Sequence, residues 1–291
     1  MPTTQPDPAN TANDHRAEIA AALLLSLRRY DLRAIIKSAG IKPRPFRRIE
    51  PTEALRSEIA APYFALVRAW QAEQAAIIAA YSAVLPARGQ PLPAGASAQI
   101  QREIDAAANR IGRQLAFLSR RFPGALASLD RWHARQWDQR IRTATGLDVS
   151  AFTSASDTRA VTSNAVARNE QLLGQVHVET KGKIAAALLG ALTIAAPAAF
   201  AAGEFARVTT TAKKRVARIA VDQADGISAE MDRARRTAAG LGRFRWHHTD
   251  QPRPRPEHLA RDERVYSQSN APNDRAGILP FCKCWEEPLW D

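Results

Sequence analysis

The sequence predicts a mainly α-helical protein, with a helical N-terminal bundle and a helical second domain ending in a small irregular α+β C-terminal module. Three observations carry this expectation. Apolar residues recur at spacings of three and four along most of the chain, and period-two alternation of β-branched residues is scarce. After Gly240 the texture changes to prolines, aromatics and mixed polar groups. The 291 residues include 41 lysines and arginines against 29 acidic residues, a formal charge of +12. With 45% hydrophobic and 24% charged residues, the composition excludes a disordered chain and suits one or two domains of roughly 100–200 residues.

Residues 1–15 are polar, lack the basic start of a secretory signal, and read as a disordered tail. The N-terminal domain is expected over residues 16–149. Its first helical stretch covers residues 17–37, ahead of the connector Lys42–Pro43–Arg44–Pro45. The clearest stripe follows: Leu55, Ile59, Tyr63, Leu66, Trp70, Ile77, Tyr81 and Val84 describe one face of a long helix. Pro51–Thr52–Glu53 opens it, Pro86 closes it, and Pro62 predicts a kink or break inside it. After a Pro/Gly-rich loop over residues 88–96, a helix from Ser97 carries Ile100, Ile104, Ile111, Leu115, Leu118 and Phe122, with Pro123–Gly124 as its end. Leu126, Leu129, Trp132, Trp137 and Ile141 mark the next, where tryptophans at helical spacing read as core anchors.

Residues 150–162 are dense in Ser, Thr and Asp and place a domain boundary, so the second domain runs over residues 150–291. A helix over residues 161–176 is followed by an expected turn around Thr180 and Gly182. Residues 184–203 carry no charge and are long enough to cross a bilayer. Half of them are alanine, however, and insertion is driven mainly by Leu, Ile, Phe and Val. A pair of short, close-packing helices is the expectation, with membrane interaction as the rival.

Residues 207–245 hold ten basic and four acidic side chains. Lys213, Lys214, Arg215, Arg218, Arg233, Arg235 and Arg236 make this helix the candidate contact for double-stranded DNA. Such a surface neutralises phosphates without reading bases. Residues 251–291 are close to neutral, with six basic and seven acidic side chains, so the charge surplus lies in the helices.

The C-terminal module concentrates chemistry-bearing residues. His258, Cys282 and Cys284 are ligand types that zinc accepts, with Asp250 or His248 as a fourth. The bland alternative buries the cysteines as small hydrophobes and ties Asp250, Arg253, Arg255 and His258 into a hydrogen-bonded cluster. Cysteines one residue apart make no disulfide framework.

The order Trp246–x–x–Thr249–Asp250, Arg253–x–Arg255–Pro256–x–His258, Asp262–Glu263–x–Val265–Tyr266 and Cys282–x–Cys284 resembles the phage Mu F-like minor head protein family, or head morphogenesis domain. Arg218–Ile219–Ala220–x–Asp222–Gln223 is similar to that family's basic helix, and the likeness spans residues 150–288. Glu263 stands where the family often has glycine, Lys283 replaces an arginine between the cysteines, and residues 276–280 depart from its usual Pro-containing element. The resemblance implies a low-copy virion protein, assembled in the bacterial host cytoplasm and associated with portal and capsid proteins; no enzymatic activity is expected, because the second domain has no recognisable catalytic order. The rival is a metal-dependent nuclease or hydrolase built on the His/Cys cluster; no phosphate loop, Gly-x-Ser-x-Gly elbow or His-Glu-x-x-His helix stands in the sequence.

Overall fold

The computed structural model describes residues 30–87, 90–249 and 254–290. The expected tail over residues 1–15 lies outside the described residues. Helices dominate, and a small three-stranded antiparallel sheet stands near the C-terminus, as the sequence predicts. Packing divides the chain into two compact units, each assembled from separated stretches. Among the described residues, those within 50–132 and 159–228 form one; those within 30–49, 133–158 and 229–290 form the other.

The first of these units is helical. Helix α1 (Leu32–Ser38) belongs to the other unit; here α2 (Glu53–Ala72), α3 (Gln74–Ala83) and α4 (Ala96–Ser119) are joined by all of α6 (Arg159–Thr193) and most of α7 (Ala198–Ala238). Thr52 caps α2 by accepting from the Leu55 N–H, and Glu53 places an acid in its positive first turn. The predicted stripe is buried: Tyr63, Leu66, Trp70, Ile77, Tyr81 and Val84 join Ile100, Ile104, Ile111, Leu118, Leu173, Ile184, Leu188, Leu192 and Phe205 in one core. Each fully buried large side chain contributes about 1.5–3 kcal/mol. Two buried tyrosine hydroxyls of this core are satisfied. Tyr63 donates to Asn169 Oδ1 at 2.8 Å, and Tyr81 donates to the Ala196 carbonyl at 2.8 Å.

Three boundaries differ from the sequence expectation. Helix α2 runs through Pro62, and the break falls at Glu73. Glu73 is gripped by both arms of Arg110, at 2.6 and 3.1 Å, a tertiary contact that no local pattern announces. Pro123–Gly124 does not end a helix; it sits in the first turn of α5 (Phe122–Thr145), where proline's missing N–H costs nothing. Helix α6 continues through Thr180 and Gly182 without a turn: the Thr180 hydroxyl donates to the Val176 carbonyl at 2.7 Å, and Lys181 pairs with Asp105 at 2.7 Å. The uncharged stretch is therefore the end of one long helix and the start of another, separated near Ala195 and Pro197. No helix among the described residues is long and apolar enough to cross a membrane.

The second unit takes α1, the ends of α5 and α7, and the C-terminal module. Gly240, at φ +74°, turns the chain out of α7. Strand β1 (Arg243–His247) then lies between β2 (Val265–Ser267) and β3 (Trp285–Pro288), both antiparallel to it. The one-turn helix α8 (Pro256–Leu259) leads into β2, and a 3₁₀ turn (Gln268–Asn270) follows it.

Candidate functional site

The C-terminal module is built around a core of Phe244, Trp246, Ala276, Cys282 and Cys284, with Tyr266 and Leu279 packed against it. Phe244 and Trp246 alternate with exposed or half-exposed neighbours on β1, so both point to one face of the sheet. The Trp246 ring meets His258 edge-on at 5.1 Å between centroids. His258, on α8, is 2% exposed, and its Nδ1 lies 3.3 Å from Cys282 Sγ and 3.6 Å from Cys284 Sγ. Among the described residues, the three ligand atoms form a buried group within 4.8 Å of one another.

What surrounds the cluster orients it. His258 Nε2 faces Asp274 Oδ2 at 3.3 Å, and Arg261 grips the other Asp274 oxygen at 2.8 Å. Arg261 holds the Asp274 carboxyl below the usual carboxylate range. The Gly277 N–H donates to Cys282 Sγ at 3.4 Å. The two thiols split in acidity. Cys284, together with backbone N–H groups and His258, favours charge on Cys282 against the effect of burial; Cys284 is pushed up by Cys282 and by burial.

Of the other residues singled out in the sequence, Trp246 is fully buried, and Arg255 donates to the Pro280 carbonyl at 2.9 Å, tying α8 to the loop before the cysteines. Asp250 and Arg253 lie outside the described residues. His248 is not in the ligand group; its backbone N–H donates to Asp262 at 2.7 Å.

The candidate DNA-contact residues divide. Lys213, Lys214 and Arg218 are exposed on α7, and Arg215 is half-buried in an ion pair with Glu179. Arg233, Arg235 and Arg236 are corrected: they turn inward. Arg235 and Arg236 are each 1% exposed, and the Arg233 side chain is 14% exposed. Arg236 pairs with Glu286, Arg233 lies 3.7 Å from the same carboxylate, and Arg275 reaches it at 2.6 Å. Arg236 and Arg275 also flank the Phe244 ring, at 4.9 and 4.6 Å. Arg235 donates to His133 Nδ1 at 2.7 Å, which leaves the ring proton on Nε2, 3.1 Å from Asp232. Guanidinium groups held this way are structural and do not reach a phosphate.

Sequence reading missed Asp274, Gly277, Glu286 and Arg275. Adjacent glutamates in a strand suggest an exposed edge, yet Glu286 and Glu287 are both buried.

The chain matches no protein-family model, no curated protein and no solved structure with which it was compared.

Proposed function

We propose that the protein is a minor structural component of a tailed-phage head or prophage-derived particle, docking on portal and inner capsid proteins and touching packaged DNA without sequence preference. The reading begins from the resemblance to the Mu F-like head morphogenesis domain. One observation supports it most: Trp246, His258, Tyr266, Cys282 and Cys284, which lie far apart in sequence, meet in or against one small core. Motif residues that make up a module's own interior fit a shared framework better than a reaction site, because their side chains are used up in packing. The DNA part rests on Lys213, Lys214 and Arg218. These three exposed cations lie within two turns of α7, about 8 Å along its axis.

Fluorescence anisotropy with short duplexes of unrelated sequence, titrated over salt, tests the DNA contact. Three neutralised phosphates give a slope of about −3 in log affinity against log salt. The triple variant K213E/K214E/R218E is expected to lose most of that slope, whereas all sequences bind alike. A flat salt response, or a variant that binds like the parent, overturns the contact. Cutting of the duplex in the presence of a divalent metal would replace the structural reading with the nuclease.

A further inference from the structure

We infer that His258, Cys282 and Cys284 form a site for a soft divalent cation, zinc fitting best, which pins α8 and the cysteine loop to the sheet. The inference stands apart from the proposed function and rests on geometry alone.

Tetrahedral zinc with ordinary Zn–S and Zn–N lengths separates a nitrogen from a sulfur by about 3.6 Å. The His258 Nδ1 separations of 3.3 and 3.6 Å match that spacing, and all three donor atoms lie within 4.8 Å of one another. The donors are one imidazole and two thiols, which select zinc over magnesium or calcium. The imidazole is also held the way ligand histidines are. Its far nitrogen faces Asp274, itself fixed by Arg261, so the lone pair of Nδ1 is turned to the sulfurs. An amide N–H, that of Gly277, is directed at Cys282 Sγ and would stabilise a thiolate.

The backbone of the cysteine loop bends to make this set. Phe281 sits at φ +60°, a costly conformation for a bulky residue, immediately before the first cysteine. Gly277, at φ +76°, packs so closely on Ala229 that an added Cβ would lie 2.8 Å from it. These bends bring Cys282 and Cys284, at 6% and 4% exposure, against a histidine from another element. Burial of all three donors keeps the bound ion away from bulk solvent. The other ligand-like group, His247 with Asp262 and Glu263, is not buried, and His247 is already paired with Glu263 and Glu287 at 3.0 and 2.9 Å.

The test uses the full chain, purified without a histidine tag from zinc-supplemented cells. Elemental analysis should find one equivalent of zinc per chain. Cobalt exchanged into the site should give a thiolate-to-metal charge-transfer band and visible d–d bands. C282S and C284S should each weaken the charge-transfer band. The positioning variant Asp274→Asn should keep the bands but bind zinc about 10–100-fold more weakly in competition with a chromophoric chelator. Should a cysteine variant fail to fold, the cobalt spectrum of the parent chain still decides. Zinc below about a tenth of an equivalent together with no cobalt–thiolate band overturns the site and leaves a hydrogen-bonded thiol–imidazole cluster.

Discussion

A single carboxylate, Glu286, balances three guanidinium groups in the C-terminal module. Burial opposes its charge, yet Arg275, Arg236 and Arg233 together hold its carboxyl below the usual glutamate range. Burial in turn pulls the guanidinium of Arg236 down, so each partner depends on the other. Removing the negative charge by Glu286→Gln strands buried cations and is expected to cost about 3–5 kcal/mol in urea unfolding at neutral pH. The contribution of Glu286 is fully present above its unfolded pKa of about 4.3 and is lost as pH falls through its lower folded value. Parent and variant stabilities should therefore converge in acid; a gap that persists unchanged below that range would contradict the charge account. None of this was legible in sequence. Arg233, Arg235 and Arg236 looked like a continuation of the basic helix because their partners stand far along the chain, at Glu286 and His133.

Among the elements, what sequence shows best is the buried stripe and what it shows least is where a helix stops. The run from Leu55 to Val84 was readable because periodicity is a local property, and each of its named positions is buried. The break at Glu73 was not, because its partner there, Arg110, comes from another helix; Pro62, the local suspect, is accommodated. Gly240 was readable as a change of texture, and the structure gives the reason. It closes α7 in the left-handed region, against Asp31, whose side chain caps α1 by accepting from the Ala34 N–H at 2.9 Å. A Cβ at Gly240 would stand 3.0 Å from Asp31 Oδ1 and 3.3 Å from its Cα. Gly240→Ala is expected to destabilise by roughly 1–2 kcal/mol, read as a lower urea midpoint at unchanged slope. An unchanged midpoint would mean that this corner relaxes without strain. The His–Cys–Cys group was half legible: residue types named the three donors, while Asp274 and Gly277, which orient them, carry no sequence signature.

For the whole molecule, the sequence placed a boundary at residue 150, where composition shifts. Each compact unit is assembled from separated stretches of the chain, with α5 and α7 contributing residues to both. The crossings inside α5 and α7 leave no linker for composition to mark, whereas the one at Thr158–Arg159 falls within the stretch dense in Ser, Thr and Asp. The charge surplus divides along similar lines. Part of it, at Lys213, Lys214 and Arg218, faces solvent, and part is consumed inside the C-terminal module by Glu286. A net charge of +12 thus overstates the surface available to nucleic acid. The central claim, a low-copy part of a phage-like head, is tested most directly by quantitative mass spectrometry of purified particles from a host carrying this gene. The account predicts the chain in those particles, at far fewer copies than the major capsid protein. Particles that are complete and lack it would contradict the account.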